Sequence, residues 1–168
     1  MRTSLVSAVL FTILFVAAFA STLEAAGSEA PNLSGVMEAR KIVLDGENHE
    51  IMVSADKVFP KDRIEYTLRY RNVGTASASG VNLVGPIPPG TVYIDNTASS
   101  RGAMRPLFSI DGGATYHPAP VTYVAVNERG MEERRVATPD MYTHIMWNME
   151  RALAAGTEVL VSYRVQVK

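Results

Sequence analysis

Residues 63–71 alternate without interruption between apolar and polar side chains. The apolar positions are Ile64, Tyr66, Leu68 and Tyr70. A period of two residues is typical of a β-strand that buries one face. Aromatic and β-branched residues favour the same conformation. The chain is therefore predicted to contain a sheet, one face of which must be covered by another layer of the protein.

Two kinds of turn signal follow this strand. Asn72-Val73-Gly74 contains two residue types that tolerate positive φ, so residues 81–84 are predicted to be the return strand. Residues 85–90 then contain three prolines. Because proline has no main-chain donor for a ladder, this segment is predicted to be an edge or a corner between two sheets.

Further strand-like runs, separated by turn residues, extend along the chain. They are residues 36–44, 49–54, 91–94, 121–126, 142–149 and 158–168. The first two flank a turn at residues 45–48 and predict an N-terminal β-hairpin. Many short strands with proline and glycine corners predict an all-β, antiparallel β-sandwich. In its core we expect Trp147 to face inward together with Ile145, Tyr66, Leu68 and Val161.

Several of these motifs resemble the DUF11 conserved-repeat domain of bacterial surface and exported proteins. They are Pro60-Lys61-Asp62, the Tyr66-Thr67 strand, Asn72-Val73-Gly74, the proline corner, Trp147-Asn148-Met149, the turn at residues 153–157 and the closing strand. The resemblance covers about residues 50–168. It implies an immunoglobulin-like sandwich and a place in the cell envelope, and it implies no activity.

Two positions depart from the family pattern. Lys61 stands where the family usually has glycine, and Gly85 stands where it usually has aspartate. Both positions are predicted to lie in turns. The departures therefore concern local loop geometry and leave the predicted fold intact.

The N-terminus has the pattern of a secretory signal. Arg2 precedes an apolar run at residues 5–20, which is too short for a typical membrane span and ends in small residues. Residues 1–20 are predicted to be a signal peptide, with cleavage before Ser21. Cleavage after Ala26 and an uncleaved membrane anchor are the alternatives. Residues 21–35 are small and polar and predict a flexible arm before a domain at residues 36–168.

Charge and cysteine content narrow the class of protein further. The 16 basic and 17 acidic residues are interspersed, which argues against nucleic acid as a partner. The chain has no cysteine, so it forms no disulfide bond and has no lipid-modified cysteine. The mature form is expected to be periplasmic or extracellular, not membrane-spanning, and monomeric when isolated.

The sharpest short motif is S-x-D-x-G-x-T-aromatic at residues 109–116. Its defining residues are Ser109, Asp111, Gly113, Thr115 and Tyr116. It resembles the Asp-box of sialidases and related propellers. An aspartate at this position can accept hydrogen bonds from amides across the turn, so we expect a fold element and not a catalytic group. Propellers repeat the motif, whereas this chain has one copy and is too short for a propeller.

No set of residues predicts catalysis or metal binding. His49, His117 and His144 lie in separate segments, and no G-x-S-x-G motif occurs. Loop oxygens that could bind calcium are those of Asp95, Asn96, Asp111 and Asp140, but the expected role of each is turn capping. We therefore predict no enzymatic activity, no cofactor and no metal. The charged residues 127–140 are predicted to be a solvated loop.

The function predicted from the sequence is that of an exported, non-catalytic immunoglobulin-like module with a structural or interaction role, in adhesion or assembly, in the bacterial cell envelope. Its partner would be a protein or a glycan. One alternative is a carbohydrate-binding or carbohydrate-active protein, suggested by the Asp-box and requiring an exposed cluster of Tyr93, Tyr116 and Tyr123. Another is a filament subunit that is assembled by strand exchange.

Overall fold

The computed structural model describes residues 30–101 and 104–168, which form eleven strands and one short 3₁₀ turn at Pro139–Met141. In chain order the strands are β1 (Leu33–Leu44), β2 (Glu50–Ser54), β3 (Arg63–Asn72), β4 (Asn82–Pro86), β5 (Thr91–Tyr93), β6 (Ser99–Ser100), β7 (Pro106–Ser109), β8 (Thr122–Val126), β9 (Glu132–Val136), β10 (His144–Asn148) and β11 (Glu158–Val167). The signal peptide predicted at residues 1–20 and most of the predicted arm lie outside the described residues. None of the helical segments within the described residues has the length and apolar character needed to cross a membrane.

The larger sheet has the strand order β2-β1-β3-β11-β5, and β6 also pairs with β11. The alternating segment predicted from the sequence is β3, which pairs with β1 on one side and β11 on the other. Ile64 and Leu68 are buried on its inner face, each 3% exposed. On β11, Val161 and Tyr163 are buried in the same way. The hairpin predicted near the N-terminus is formed by β1 and β2.

The smaller sheet, β4-β10-β7, packs against the inner face of the larger one. Residues 81–84 were predicted to return beside the strand at residues 63–71. This is wrong, because β4 pairs with β10 in the smaller sheet. Both sides of β3 are already occupied by β1 and β11. The proline-rich segment then carries the chain from β4 back to β5 in the larger sheet, so the predicted corner is confirmed. The fold is an all-β, immunoglobulin-like antiparallel sandwich.

Trp147 lies at the centre of the core and has no exposed surface. Its ring centroid is 6.3 Å from that of Tyr163, and Ile145 and Val161 are buried in the same cluster. The predicted inward orientation of this strand is therefore confirmed. The indole Nε1 of Trp147 has no hydrogen-bond partner among residues 30–101 and 104–168.

Gly85 lies inside β4 and not in a turn, which corrects the prediction from the sequence. A Cβ atom at this position would come within 2.7 Å of Cε1 of Tyr163 and 3.3 Å of Cδ1 of Leu68. The two sheets approach each other closely here, so only glycine fits. Lys61, in contrast, does lie in a turn, and its φ of 74° is in the region that favours glycine.

The start of β1 also corrects the predicted arm, because residues 33–35 are strand residues. They pair with the end of β3, and Asn32 just before them accepts a 2.7 Å hydrogen bond from the main-chain N–H of Val73. The fully buried side chain of Asn72 holds this region together. Its Oδ1 accepts hydrogen bonds from the N–H groups of Asn32 and Gly74, and its Nδ2 donates to the carbonyl of Leu153 at 2.9 Å.

Candidate functional site

The Asp-box turn is held together by the carboxylate of Asp111. This carboxylate accepts hydrogen bonds from the Thr115 hydroxyl at 2.6 Å, the Thr115 N–H at 3.0 Å and the Ser109 hydroxyl at 2.7 Å. The bonds from Thr115, followed by that from Ser109, hold the pKa of Asp111 well below its ordinary value. Each of these donors belongs to the turn itself. The predicted role of Asp111 as a fold element is therefore consistent with its contacts.

The three histidines lie in separate parts of the described structure. His49 lies beside Asp45 in the β1–β2 turn, with 3.5 Å between Nδ1 and Oδ2, and the main chain of His117 pairs with Phe108. His144 is half-buried on β10 next to Thr143. Within the described ranges, no three His, Cys, Asp or Glu side chains are placed to share a metal ion.

The loop oxygens suggested for calcium belong to separate turns. Asn96 follows Asp95 in the turn after β5 and adopts a φ of 59°. Asp140 belongs to the 3₁₀ turn, and a hydrogen bond with the Thr138 side chain lowers the pKa of its carboxyl. Asp95 and Asn96 therefore lie in a different turn from Asp140, and Asp111 lies in the Asp-box turn.

The exposed tyrosine cluster that a glycan-binding face would need does not form. Tyr93 is only 3% exposed, because its ring packs against Phe108 and Tyr142 at centroid distances of 5.1 and 6.0 Å. Tyr116 is half-buried in the Asp-box turn, and Tyr123 belongs to β8, which does not pair with β5. The sequence-based suggestion of a common aromatic surface is therefore wrong.

The outer edge of β4 is closed by groups from the larger sheet. The main-chain hydrogen bonds at Val81 and Ile87 show that the N–H and carbonyl groups of odd-numbered residues of β4 point towards β10. Those of the even-numbered residues therefore point away from it, towards the outer edge. The Val84 carbonyl accepts a 3.1 Å hydrogen bond from the Tyr70 hydroxyl, and the Pro86 carbonyl accepts one from the Tyr163 hydroxyl. Pro86 has no N–H. This edge therefore has few main-chain groups left for another strand.

The opposite edge of the smaller sheet, β7, is blocked in a similar way. The N–H and carbonyl of Phe108 form hydrogen bonds of 2.8 and 2.9 Å with the main chain of His117. Pro106, at the start of the strand, has no N–H to donate. Both edges of the smaller sheet are thus protected against added strands.

The charged segment at residues 127–140 is not only a loop, which corrects the prediction from the sequence. Its residues Glu132–Val136 form β9, which pairs with β8 in a separate two-stranded sheet. In the described residues, neither strand pairs with any other strand. The β8–β9 hairpin is therefore a projection from the sandwich with two open edges.

The two faces of this hairpin differ. One carries Tyr123, which packs against the core, together with Ala125 and an ion pair between Glu133 and Arg135. The other faces solvent and carries three valines, with Arg134 opposite Val124 and Glu132 opposite Val126. Val124, Val126 and Val136 are 59%, 67% and 59% exposed. We call these three residues the valine face.

The hairpin is anchored at its base and closed at its tip. At the base, Val121 and Ala137 are buried and joined by a 2.8 Å hydrogen bond from the Ala137 N–H to the Val121 carbonyl. At the tip, the Asn127 side chain accepts hydrogen bonds from the N–H groups of Arg129 and Met131. Gly130 adopts a φ of 75° there. The valine face is thus exposed on a hairpin that is fixed at both ends.

A small cleft of about 290 Å³ lies where the hairpin joins the sandwich. His117 and Pro120 line it from the connection before β8, and Tyr123, Val124 and Arg134 line it from the hairpin. The cleft adjoins the valine face at Val124 and has a mixed polar and apolar lining. Sequence reasoning missed this surface, although the turn residues Asn127 and Gly130 between two strand-length segments were a signal for it.

The chain matches no protein-family model, and none of the curated proteins compared with it gives a significant match. The candidate site is therefore defined by the geometry of the chain itself.

Proposed function

We propose that this protein is an exported, non-catalytic immunoglobulin-like interaction module of the bacterial cell envelope, and that it binds a protein partner through the β8–β9 hairpin. The observation that carries this proposal is the valine face, on a projection whose two strand edges are both open. Exposed valines on an anchored hairpin gain free energy when a partner covers them.

The hairpin fits a protein better than a glycan. Its open edges offer main-chain N–H and carbonyl groups, which a partner strand can pair with in register. Its exposed face combines three valines with Glu132 and Arg134, whereas sugar rings are commonly held by aromatic side chains, and Tyr123 is turned towards the core. The partner we propose presents an extended segment with apolar side chains at alternate positions.

Export and envelope location are supported by the sequence features at residues 1–20 and by the resemblance to the DUF11 domain. Two structural details agree with that resemblance. The buried Asn72 and the central Trp147, both part of the motifs in common, occupy key positions in the fold. Lys61, where the family usually has glycine, adopts the left-handed conformation that glycine favours.

Assembly by strand exchange is the less favoured alternative. A subunit that waits for a donor strand has an incomplete sheet with an open groove. Here β11 fills the position between β3 and β5, and both edges of the smaller sheet are closed. These features favour a domain that folds without a neighbour and then binds its partner.

Site-specific photo-crosslinking in cells of the source organism tests the contact surface. A photoreactive phenylalanine analogue at Val124 is expected to give a discrete adduct of one partner. The same analogue at Lys57, which is exposed outside the hairpin, is the matched control. Equal adduct patterns at both positions, or adducts at Lys57 alone, would show that the hairpin is not the contact surface.

A second experiment tests export. Expression of the full chain with its own N-terminus is expected to release a product whose mass corresponds to a start at Ser21. A mass corresponding to a start at Gly27 would support the alternative cleavage site. A product that retains residues 1–20 and stays in the membrane fraction would contradict the proposed export.

A further inference from the structure

A cleft larger than the one beside the hairpin lies on a different part of the molecule. It has a volume of about 710 Å³ and is lined by described residues next to and within β7 and by the turn after β10. Leu107 and Met149 are half-buried in its lining, and Leu153 and Val159 are buried. Its size is within the range of clefts that hold small ligands or short peptide segments.

Three exposed arginines, Arg101, Arg105 and Arg151, also line this cleft. Within residues 30–101 and 104–168, none of the three forms an ion pair with a carboxylate. Their guanidinium groups therefore remain available to an acidic ligand. The cleft therefore combines an apolar lining with three positively charged side chains.

The arginines are carried by anchored parts of the main chain. The Ser100 hydroxyl accepts a 2.9 Å hydrogen bond from the Met104 N–H and donates one of 3.1 Å to its carbonyl, which fixes the residues next to Arg101 and Arg105. On the other side, Leu153 and Ala78 exchange two main-chain hydrogen bonds of 2.8 and 2.9 Å. The turn that carries Arg151 is thus held between β10 and Leu153.

The carboxylates in the cleft do not cancel this positive charge. Two carboxylates line the cleft, those of Glu150 and Glu158. Glu158 is already paired with Arg69 at 3.3 Å, and Glu150 is exposed. One unpaired carboxylate therefore faces three arginines. The excess positive charge selects for an anionic ligand, since the guanidinium group forms paired hydrogen bonds with a carboxylate.

We propose that this cleft binds an acidic peptide segment in which carboxylate side chains alternate with apolar ones. The carboxylates would pair with Arg105 and Arg151, and the apolar side chains would cover Met104, Leu107 and Met149. Methionine adapts its shape to different apolar partners, which suits peptide binding. None of the lining residues is aromatic, so a sugar ring would find no surface for stacking.

This inference does not depend on the function proposed for the hairpin, because no residue of β8 or β9 lines the cleft. A variant that alters the cleft leaves the valine face intact. Failure of one proposal is therefore distinguishable from failure of the other.

Fluorescence polarisation with a labelled eight-residue peptide of alternating Glu and Leu tests the proposal, with exported protein purified from cells that express the full chain. We expect a peptide of alternating Gln and Leu to bind about tenfold more weakly, because its amides form no charge-assisted pairs. Arg105→Gln and Arg151→Gln are each expected to weaken binding of the Glu-Leu peptide by about tenfold. Arg129→Gln, at the tip of the hairpin, makes the same change of charge outside the cleft and is expected to leave binding unchanged.

The arginines are exposed, so these variants are expected to unfold at the same temperature as the parent, which a circular dichroism melt checks. Equal affinity of the parent and the Arg105→Gln/Arg151→Gln double variant for the peptide would overturn the proposal. So would equal affinity for the Glu-Leu and Gln-Leu peptides. Binding of an oligogalacturonate in the absence of any peptide binding would show that the cleft recognises an acidic glycan instead.

Discussion

The hydroxyl of Tyr70 on β3 donates a 3.1 Å hydrogen bond to the main-chain carbonyl of Val84 on β4, and so joins the two sheets at an outer edge. The Tyr163 hydroxyl makes the equivalent contact with Pro86. Burial raises the pKa of Tyr163, so its hydroxyl remains a donor over the whole physiological pH range. Side chains of one sheet thus occupy the acceptors that the other would offer to a foreign strand.

Replacement of Tyr70 by phenylalanine is expected to lower the free energy of unfolding by about 0.5–1.5 kcal/mol, because one hydrogen bond between the sheets is lost. Chemical denaturation measures the change. Tyr66→Phe is the matched control, since Tyr66 lies on the same strand and its hydroxyl makes no hydrogen bond within the described ranges. Equal losses for both variants would show that the Tyr70 hydrogen bond contributes nothing specific.

Replacement of Trp147 by alanine is expected to lower the free energy of unfolding by about 3–5 kcal/mol, because loss of the largest side chain of the core would leave a cavity. Trp147→Phe keeps an aromatic ring and removes the unpaired indole N–H, so its cost is expected to be clearly smaller. Urea denaturation of both variants checks the order. A loss for alanine no greater than that of a surface substitution would contradict the core described for this protein.

Replacement of Lys61 by glycine is expected to stabilise the protein by about 0.5–1 kcal/mol. Lys61 has a φ of 74°, which is strained for a residue with a Cβ atom. The free energy gained by removing this strain is expected to exceed the entropic cost of ordering the more flexible glycine. Lys57→Gly is the control, because Lys57 is exposed and does not have a positive φ. The prediction fails if both substitutions lower the melting temperature equally.

Replacement of Asp111 by asparagine is expected to lower the denaturation midpoint at neutral pH. The pKa of Asp111 is lower in the folded state than its ordinary value, so its stabilising effect is complete above about pH 5 and is lost progressively below about pH 4. Parent and variant should therefore differ at pH 7, and the difference should shrink steadily as the pH falls below 4. Asp56→Asn, at an exposed aspartate whose side chain accepts no hydrogen bond from the described residues, should show no such pH dependence.

The sequence predicted where the main strands lie better than it predicted which strands pair with each other. The alternation of Ile64 and Leu68 indicated β3 correctly, because burial of one face leaves a local pattern of period two. It gave no information on the sheet to which β4 belongs, since that depends on β11 occupying the place beside β3. The close approach of the two sheets at Gly85 could not be predicted for the same reason, because the contact is with Tyr163, far along the chain.

The candidate surface was harder to predict than the fold. Glu132–Val136 has four charged residues in succession, and such a run is common in solvated loops. It is a strand because Thr122–Val126 supplies its ladder of hydrogen bonds, and it keeps its charges because its outer edge and one of its faces reach solvent. The exposure of Val124 and Val126 depends equally on the absence of a covering layer over the hairpin, which no local pattern reveals.

The position of β11 between β3 and β5 has a consequence for how the chain folds. Its contacts with β3 join residues far apart, as in the hydrogen bond between Arg164 and Glu65 across 99 positions. Pairing over such distances must close long loops before any contact is gained, so topologies of this kind fold slowly, on the scale of milliseconds to seconds. Until β11 docks, the edges of β3 and β5 that face it have no hydrogen-bonding partner in the larger sheet. If the chain is exported unfolded, as proposed above, its central sheet would stay incomplete until Glu158–Val167 had also emerged.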